Sequence, residues 1–189
     1  MCLILNCCFE RFLQPLMSHR YVIFDVETTG LYPHRGHRII EIGAVAIDGQ
    51  SVTGEFHTLI NPGRKVHRSV QRINGITNEM LADQPSPEQA YPEFYQFIAG
   101  AVLVAHNAVF DVSFLRYEFG RLGMSINHRH ICTLEMSRRC FPELPDHRLE
   151  TVVRHVLGKM PGGGIVCQNH VTIQGKQGFV KLVLLAGLA

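Results

Sequence analysis

The hydrophobic and polar positions along the chain change their period part-way through, from patterns typical of strands to patterns typical of helices. Residues 21–26 form a short apolar run that predicts a buried strand. Residues 38–48 and 52–60 predict two further strands, and Asp48-Gly49 between them is typical of a hairpin turn. Three strands joined by short turns predict an antiparallel meander.

Helical spacing dominates after the third predicted strand. Residues 86–99 predict a helix, with Ser86 as its N-cap and Pro87 at its first position. The apolar stretch 101–105 predicts a fourth strand, and residues 109–122 predict an amphipathic helix. The remaining predicted elements are a short strand near 130–132 and helices over 134–139 and 146–157. A meander followed by alternating strands and helices predicts an α/β domain in which helices flank a mixed sheet.

Composition restricts the class of protein but does not indicate which reaction or ligand it serves. The 189 residues are 46% hydrophobic and 18% charged, which predicts one globular domain with a real core. A net charge of +2 permits a nucleic-acid partner but does not argue for one. Six cysteines without CxxC pairs disfavour zinc and a disulfide framework, and favour a reducing cytoplasm. No run reaches the roughly 20 apolar residues that span a bilayer, so no membrane association is expected.

The two ends of the chain differ from the part between them. Residues 1–17 are apolar and rich in cysteine but lack the features of a signal peptide, and we interpret them as an N-terminal extension. Residues 159–189 begin near three consecutive glycines, and no acidic residue follows Glu150. A shifted reading frame would give such a tail. The sequence therefore predicts one domain over residues 18–158, incomplete at its C-terminal end.

Two acidic residues, Asp25 and Glu27, belong to the first predicted strand. Residues two apart on a strand project from the same face. Two like charges on a buried face are costly unless a positive charge lies between them. A divalent metal ion is the simplest such charge, because hard cations prefer carboxylate oxygens. The structural alternative is an arginine at the strand end that pairs with one of the acids.

A second polar group follows the fourth predicted strand. His106 and Asn107 stand at its carboxyl end, a common place for ligand contacts in α/β sheets, although a local turn is the alternative. Asp111 falls in the first turn of the next helix, where the helix dipole alone favours an acid.

Together, the stretches FDVETTG at 24–30 and HNAVFD at 106–111 resemble the DnaQ-like (DEDDh) family of 3′→5′ exonucleases. Within that family the chain is similar to the epsilon subunit of bacterial DNA polymerase III and to the exonuclease segment of PolC-type polymerases. The resemblance runs from about residue 20 to residue 158. It includes residues 39–45, 61–62, 72–77, 103–111, 133–135 and 147–149.

The resemblance implies an RNase H-like fold with a mixed five-stranded sheet, and two Mg²⁺ or Mn²⁺ ions that bind the attacking and leaving oxygens of a phosphodiester. Asp25 would then bridge both ions. Glu27 would hold the ion that activates water, and Asp111 would hold the second ion, largely through water.

The resemblance also implies contacts with the substrate. Thr28 would contact the 3′ nucleotide through its backbone. His106 and Asn107 would line the substrate groove. An apolar wall against the terminal base would consist of Ile73, Gly75 and Ile76. The expected partners are the 3′ end of single-stranded DNA, with RNA as a possible substrate, and a DNA polymerase catalytic subunit.

The third motif of the family, a histidine followed five residues later by an aspartate, is not found in this sequence. Each of the three candidate histidines lacks the aspartate five residues later. At that position His147 has Val152, His155 has Met160 and His170 has Gly175. His170 lies at about the expected separation from Asp111 and is the candidate general base. Because a base contributes about 10²–10⁴-fold to the rate, a catalytically impaired nucleic-acid-binding or metal-binding relative, or a truncated product, is the alternative function.

Overall fold

The computed structural model describes residues 19–49 and 51–157. The N-terminal extension predicted over 1–17 and the tail predicted over 159–189 lie outside the described residues. The same holds for His170, so its assignment as the general base stays a prediction.

Five strands form a single mixed sheet in the order β3-β2-β1-β4-β5. The strands are β1 (Arg20–Thr28), β2 (Ile39–Asp48), β3 (Ser51–Leu59), β4 (Val102–Ala105) and β5 (His130–Cys132). β2 is antiparallel to both β1 and β3, as the predicted meander requires. β4 runs parallel to both β1 and β5. The predicted mixed five-stranded sheet is confirmed.

Six α-helices flank the sheet in the described part of the chain. They are α1 (Arg68–Asn74), α2 (Asn78–Leu81), α3 (Pro87–Phe97), α4 (Ala108–Arg121), α5 (Thr133–Cys140) and α6 (Leu149–Leu157). A short 3₁₀ turn covers Pro33–Arg35. No helix in this part of the chain has both the length and the apolar character needed to cross a membrane.

Helices α1 and α2 were not predicted, because seven and four residues are too few to establish a helical period. Local caps begin both: the side chains of His67 and Thr77 accept hydrogen bonds from backbone N–H groups of the first turn. The start of α6 was predicted too early. Asp146 Oδ1 accepts a 3.0 Å hydrogen bond from the N–H of Arg148, and this turn precedes the helix.

The sheet is covered on both faces, which explains why β1 reads as a continuous apolar run. Val22, Phe24 and Val26 point into a core shared with α3 and α4. Tyr21 and Ile23 point into the opposite core, which α6 closes. The same alternation continues to the end of β1 and decides which face carries its acidic residues.

Candidate active site

Asp25 and Glu27 lie at the carboxyl end of β1, and both are half-buried. They follow Ile23 at two-residue intervals, so they lie on the face that α6 covers. In the parallel pairing of β1 with β4, Ile23 is opposite Val104, and both strands continue to their carboxyl ends from there, β1 to Asp25 and Glu27 and β4 to Ala105. The prediction that the two carboxylates share a face agrees with this register.

Asp111 reaches the same end of β1 from the other side of the sheet. It lies in the first turn of α4 and is 2% exposed. Its Oδ1 accepts a hydrogen bond of 3.2 Å from the backbone N–H of Val26, the residue between the two acids of β1. Asn107 makes this possible by adopting a left-handed conformation (φ 66°), which turns the chain sharply from β4 into α4.

The electrostatics of Asp111 show that the three carboxylates are near one another. Burial raises the pKa of Asp111 well above its ordinary value, and the charge of Asp25 raises it further. The hydrogen bond from Val26 N–H lowers that pKa, and the charge of Glu27 raises it again. The fold therefore concentrates negative charge at this end of the sheet, where a cation would relieve the repulsion.

The donor atoms of this cluster suit Mg²⁺ or Mn²⁺, which prefer carboxylate oxygens. Within residues 19–49 and 51–157, however, no three His, Cys, Asp or Glu side chains are already arranged as a group that could hold a metal ion. The chemistry of the donors thus fits a divalent ion, while the described residues do not form a closed cage.

A further carboxylate, Glu41, lies directly opposite Glu27 in the antiparallel pairing of β1 with β2. Its Oε1 is 2.6 Å from His57 Nε2 on the neighbouring strand. A protonated His57 would offset its charge, so Glu41 already has a partner within the sheet.

His106 is held by a network that only the three-dimensional structure makes visible. Its Nδ1 lies 3.0 Å from Thr133 Oγ1, at the start of α5. Burial lowers the pKa of His106; a hydrogen bond with the backbone of His147 opposes that shift. The His147 ring in turn meets the buried hydroxyl of Ser137 at 2.8 Å.

Sequence reasoning included Thr133 only within the resembling stretch 133–135, and it missed Ser137 and the proximity of His147 to His106. No periodic signal joins these residues, since 27 positions separate His106 from Thr133. The sequence analysis considered His147 only as a candidate for the third motif, and its position beside His106 became apparent only from the fold.

The residues predicted to contact the substrate differ in how exposed they are in the structure. Thr28 Oγ1 donates to the carbonyl of Gly30 (2.7 Å), so its hydroxyl is engaged locally. Ile73 is 58% exposed, whereas Ile76 is 2% exposed and packs against Ile40 and Val66. Gly75 ends α1 in a left-handed conformation. In this structure Ile73 exposes its side chain to solvent whereas Ile76 lies in the core, and the apolar wall of Ile73, Gly75 and Ile76 stays a prediction.

The comparisons with known proteins agree with this geometry. Residues 22–162 match the family model described as exonuclease, of the RNase T type. The chain belongs to this exonuclease family. It is 43% identical over 132 residues to the DNA polymerase III subunit epsilon of Pasteurella multocida, an alignment that covers 65% of the chain and 52% of that relative. It is 40% identical over 136 residues to the PolC-type DNA polymerase III of Caldanaerobacter subterraneus, covering 72% of the chain and 10% of the relative.

The chain thus spans about half the length of the epsilon relative and about a tenth of the PolC relative. Among solved structures, E. coli exonuclease I bound to single-stranded DNA matches with a TM-score of 0.72 at 19% identity, over 88% of this chain and 40% of that one. Exonuclease X in complex with 5′ overhanging duplex DNA matches with a TM-score of 0.62 at 23% identity, over 89% and 94%. These likenesses confirm the predicted RNase H-like fold.

Proposed function

We propose that this domain is a 3′→5′ exonuclease of the DNA polymerase proofreading class, which hydrolyses nucleotides from single-stranded 3′ ends. The observation that carries the proposal is the position of buried Asp111, bonded to Val26 N–H between Asp25 and Glu27. Membership of the exonuclease family supports hydrolysis of phosphodiesters. The names of the epsilon and PolC relatives support a role in proofreading.

Each carboxylate has a role in this proposal. When bound, two Mg²⁺ or Mn²⁺ ions would supply the positive charge that phosphodiester hydrolysis requires at the attacking and leaving oxygens. Asp25 would contact both ions, Glu27 the ion nearer the attacking water, and Asp111 the other. Such a cluster needs no nucleophilic side chain, because water is the attacking group.

The remaining site residues would orient the strand. The backbone of Thr28 would hold the terminal nucleotide, and His106 and Asn107 would line the groove. The exposed side chain of Ile73 would support the terminal base. A water molecule needs a proton acceptor, for which His170 is the sequence candidate.

The relatives also suggest the setting in which the domain acts. A DNA polymerase catalytic subunit is the partner that we propose, from the names of the epsilon and PolC relatives. The cytoplasm is the compartment that this partner implies. The catalytically impaired alternative is less favoured than the enzyme, because this chain matches the exonuclease family and resembles a DNA polymerase III epsilon subunit.

The test is a hydrolysis assay with matched variants. A single strand labelled at its 5′ end, incubated with the full chain and Mg²⁺ or Mn²⁺, is expected to yield a ladder of shortened products. Asp25→Asn should abolish the ladder, because it removes a metal-binding charge while keeping the side chain's shape. Asp83→Asn, at an exposed position outside the site, should leave it unchanged. Equal inactivity of wild type and Asp25→Asn would overturn the proposal.

A further inference from the structure

Five exposed basic side chains form what we call the cationic surface: Arg35, Arg64, Lys65, Arg68 and Arg72. They come from two stretches that contain no acid, since no Asp or Glu occurs between Glu27 and Glu41 or between Glu55 and Glu79. None of the five forms an ion pair with another described residue. In a chain with a net charge of only +2, this is a local concentration of positive charge.

The two stretches are joined and internally ordered. The Arg64 guanidinium donates a hydrogen bond to the carbonyl of Gly36, which ends the 3₁₀ turn in a left-handed conformation (φ 84°). The ring of His37 lies so close to Gly30 that a Cβ there would come within 2.6 Å of it. His37 Nδ1 also accepts a 2.9 Å hydrogen bond from Tyr32 N–H. The basic side chains are therefore carried by an ordered backbone.

The cationic surface lies at the same end of the sheet as the carboxylates. Its first stretch continues directly from Glu27. Its second stretch is anchored by buried Val66, which packs with Ile40, the neighbour of Glu41. Because Glu41 is the cross-strand partner of Glu27, both stretches converge on the carboxyl end of β1.

Helix α1 carries two of these cations and the exposed apolar residue Ile73. Arg68 and Arg72 are four residues apart, so they lie on one face of the helix. Ile73 follows Arg72 directly and is also exposed. A strand whose terminal base meets Ile73 would pass these guanidinium groups.

We infer that the cationic surface binds the sugar–phosphate backbone of the strand whose 3′ end enters the carboxylate site. This inference rests on the proposed function. Carboxylates concentrated at the site repel phosphates, so a neighbouring row of cations must supply the attraction that holds the strand. Guanidinium groups match the geometry of phosphate oxygens, and such contacts depend on charge and not on base sequence.

Equilibrium binding in EDTA tests the inference without requiring hydrolysis. The probe is a fluorescent thymidine oligonucleotide, and fluorescence anisotropy is measured with the full chain over a range of salt concentrations. In the double variant Arg68→Gln/Arg72→Gln the slope of log affinity against log salt should become shallower by about 1.4, since each phosphate contact to a single strand contributes about 0.7. At about 0.15 M salt the same arithmetic gives roughly a tenfold loss of affinity.

Two further variants separate position from net charge. Arg121→Gln/Arg129→Gln removes the same charge at the far end of the domain, because Arg121 ends α4 and Arg129 precedes β5. Its slope should stay that of the wild type. Arg68→Lys/Arg72→Lys should keep most of the slope, because lysine also neutralises phosphate.

The outcomes distinguish this inference from the proposed function. Equal weakening in the two glutamine double variants, or no weakening in either, would overturn the inference. Weakening restricted to Arg68→Gln/Arg72→Gln supports it, whether or not the chain hydrolyses DNA. If the chain hydrolyses DNA but Arg68→Gln/Arg72→Gln binds normally, the proposed function stands and the strand follows another path.

Discussion

The two ends of helix α4 each bury an acidic side chain, and the fold treats the two acids in opposite ways. Asp111 is 2% exposed and Glu118, two turns later, is 1% exposed. Glu118 accepts two hydrogen bonds from the Arg38 guanidinium, at 2.6 Å from Nε and 2.8 Å from Nη2. Asp111 accepts one bond from a backbone N–H and faces the charges of Asp25 and Glu27.

The difference separates a site that stabilises the fold from a site that needs a partner. The hydrogen bond with Glu118 raises the pKa of Arg38, against the lowering effect of burial, so the guanidinium is stabilised in its charged form. At Asp111 the described residues add negative charge to negative charge. Carboxylates that raise one another's pKa are typical of a site for a cation, whereas a buried ion pair with two hydrogen bonds is typical of a structural contact.

The Glu118 end also positions the segment that follows β1. The backbone N–H of Thr29 donates to the carbonyl of Arg38 (2.8 Å), and the N–H of Arg38 donates to Thr29 Oγ1 (2.9 Å). The loop after Glu27 is therefore tied to α4 through Arg38. The two acids of α4 thus contact different segments: Asp111 bonds to Val26 within β1, and Glu118 binds Arg38, which is tied to the loop after β1.

The largest change in the free energy of unfolding is expected from removing the charge of Glu118. Glu118→Gln leaves Arg38 with an uncompensated charge in a largely buried position, and should lower the free energy of unfolding by about 3 kcal/mol. Urea denaturation followed by circular dichroism measures this change. The matched control, Glu93→Gln, alters an exposed acid on α3 and should change the free energy of unfolding little. A loss no larger than that of the control would contradict the prediction, and the apolar pair Glu118→Leu/Arg38→Met should recover much of the loss.

Removing the charge of Asp111 should change the free energy of unfolding in the opposite direction. Asp111→Asn keeps an oxygen for the Val26 N–H but removes a repelling charge, so in EDTA at neutral pH the free energy of unfolding should rise by about 1 kcal/mol. Because the pKa of Asp111 is raised, its carboxyl takes up a proton in the folded wild type as the pH falls, and the repulsion disappears. The difference in free energy of unfolding between Asp111→Asn and the wild type should therefore become smaller at acidic pH. Urea denaturation at two pH values in EDTA measures it. Destabilisation comparable to that of Glu118→Gln would show that Asp111 is structural.

The sequence predicted the Asp111 end of the helix better than the Glu118 end. The alternation of β1 placed Asp25 and Glu27 on one face, and the break after residue 105 put Asp111 in a first helical turn; both signals are local. The pairing of Arg38 with Glu118 joins positions 80 residues apart, and a period read along the chain carries no such information. The burial of Ile76 was missed for the same reason, since the neighbours that cover it come from β2 and from the segment after β3.

The smallest effect concerns His106, which precedes α4 at its Asp111 end. Burial lowers the pKa of His106, so the unfolded chain takes up a proton at a higher pH than the folded domain does. The stability that neutral His106 contributes is present above the ordinary histidine pKa of about 6.5 and is lost as the pH falls through the lowered folded value. We expect His106→Gln to flatten the acid side of the stability curve by under about 1 kcal/mol, while His34→Gln, at an exposed position, leaves that side unchanged. Urea denaturation between neutral and mildly acidic pH measures both. If the two variants behave alike, the acid sensitivity belongs to other groups and not to His106.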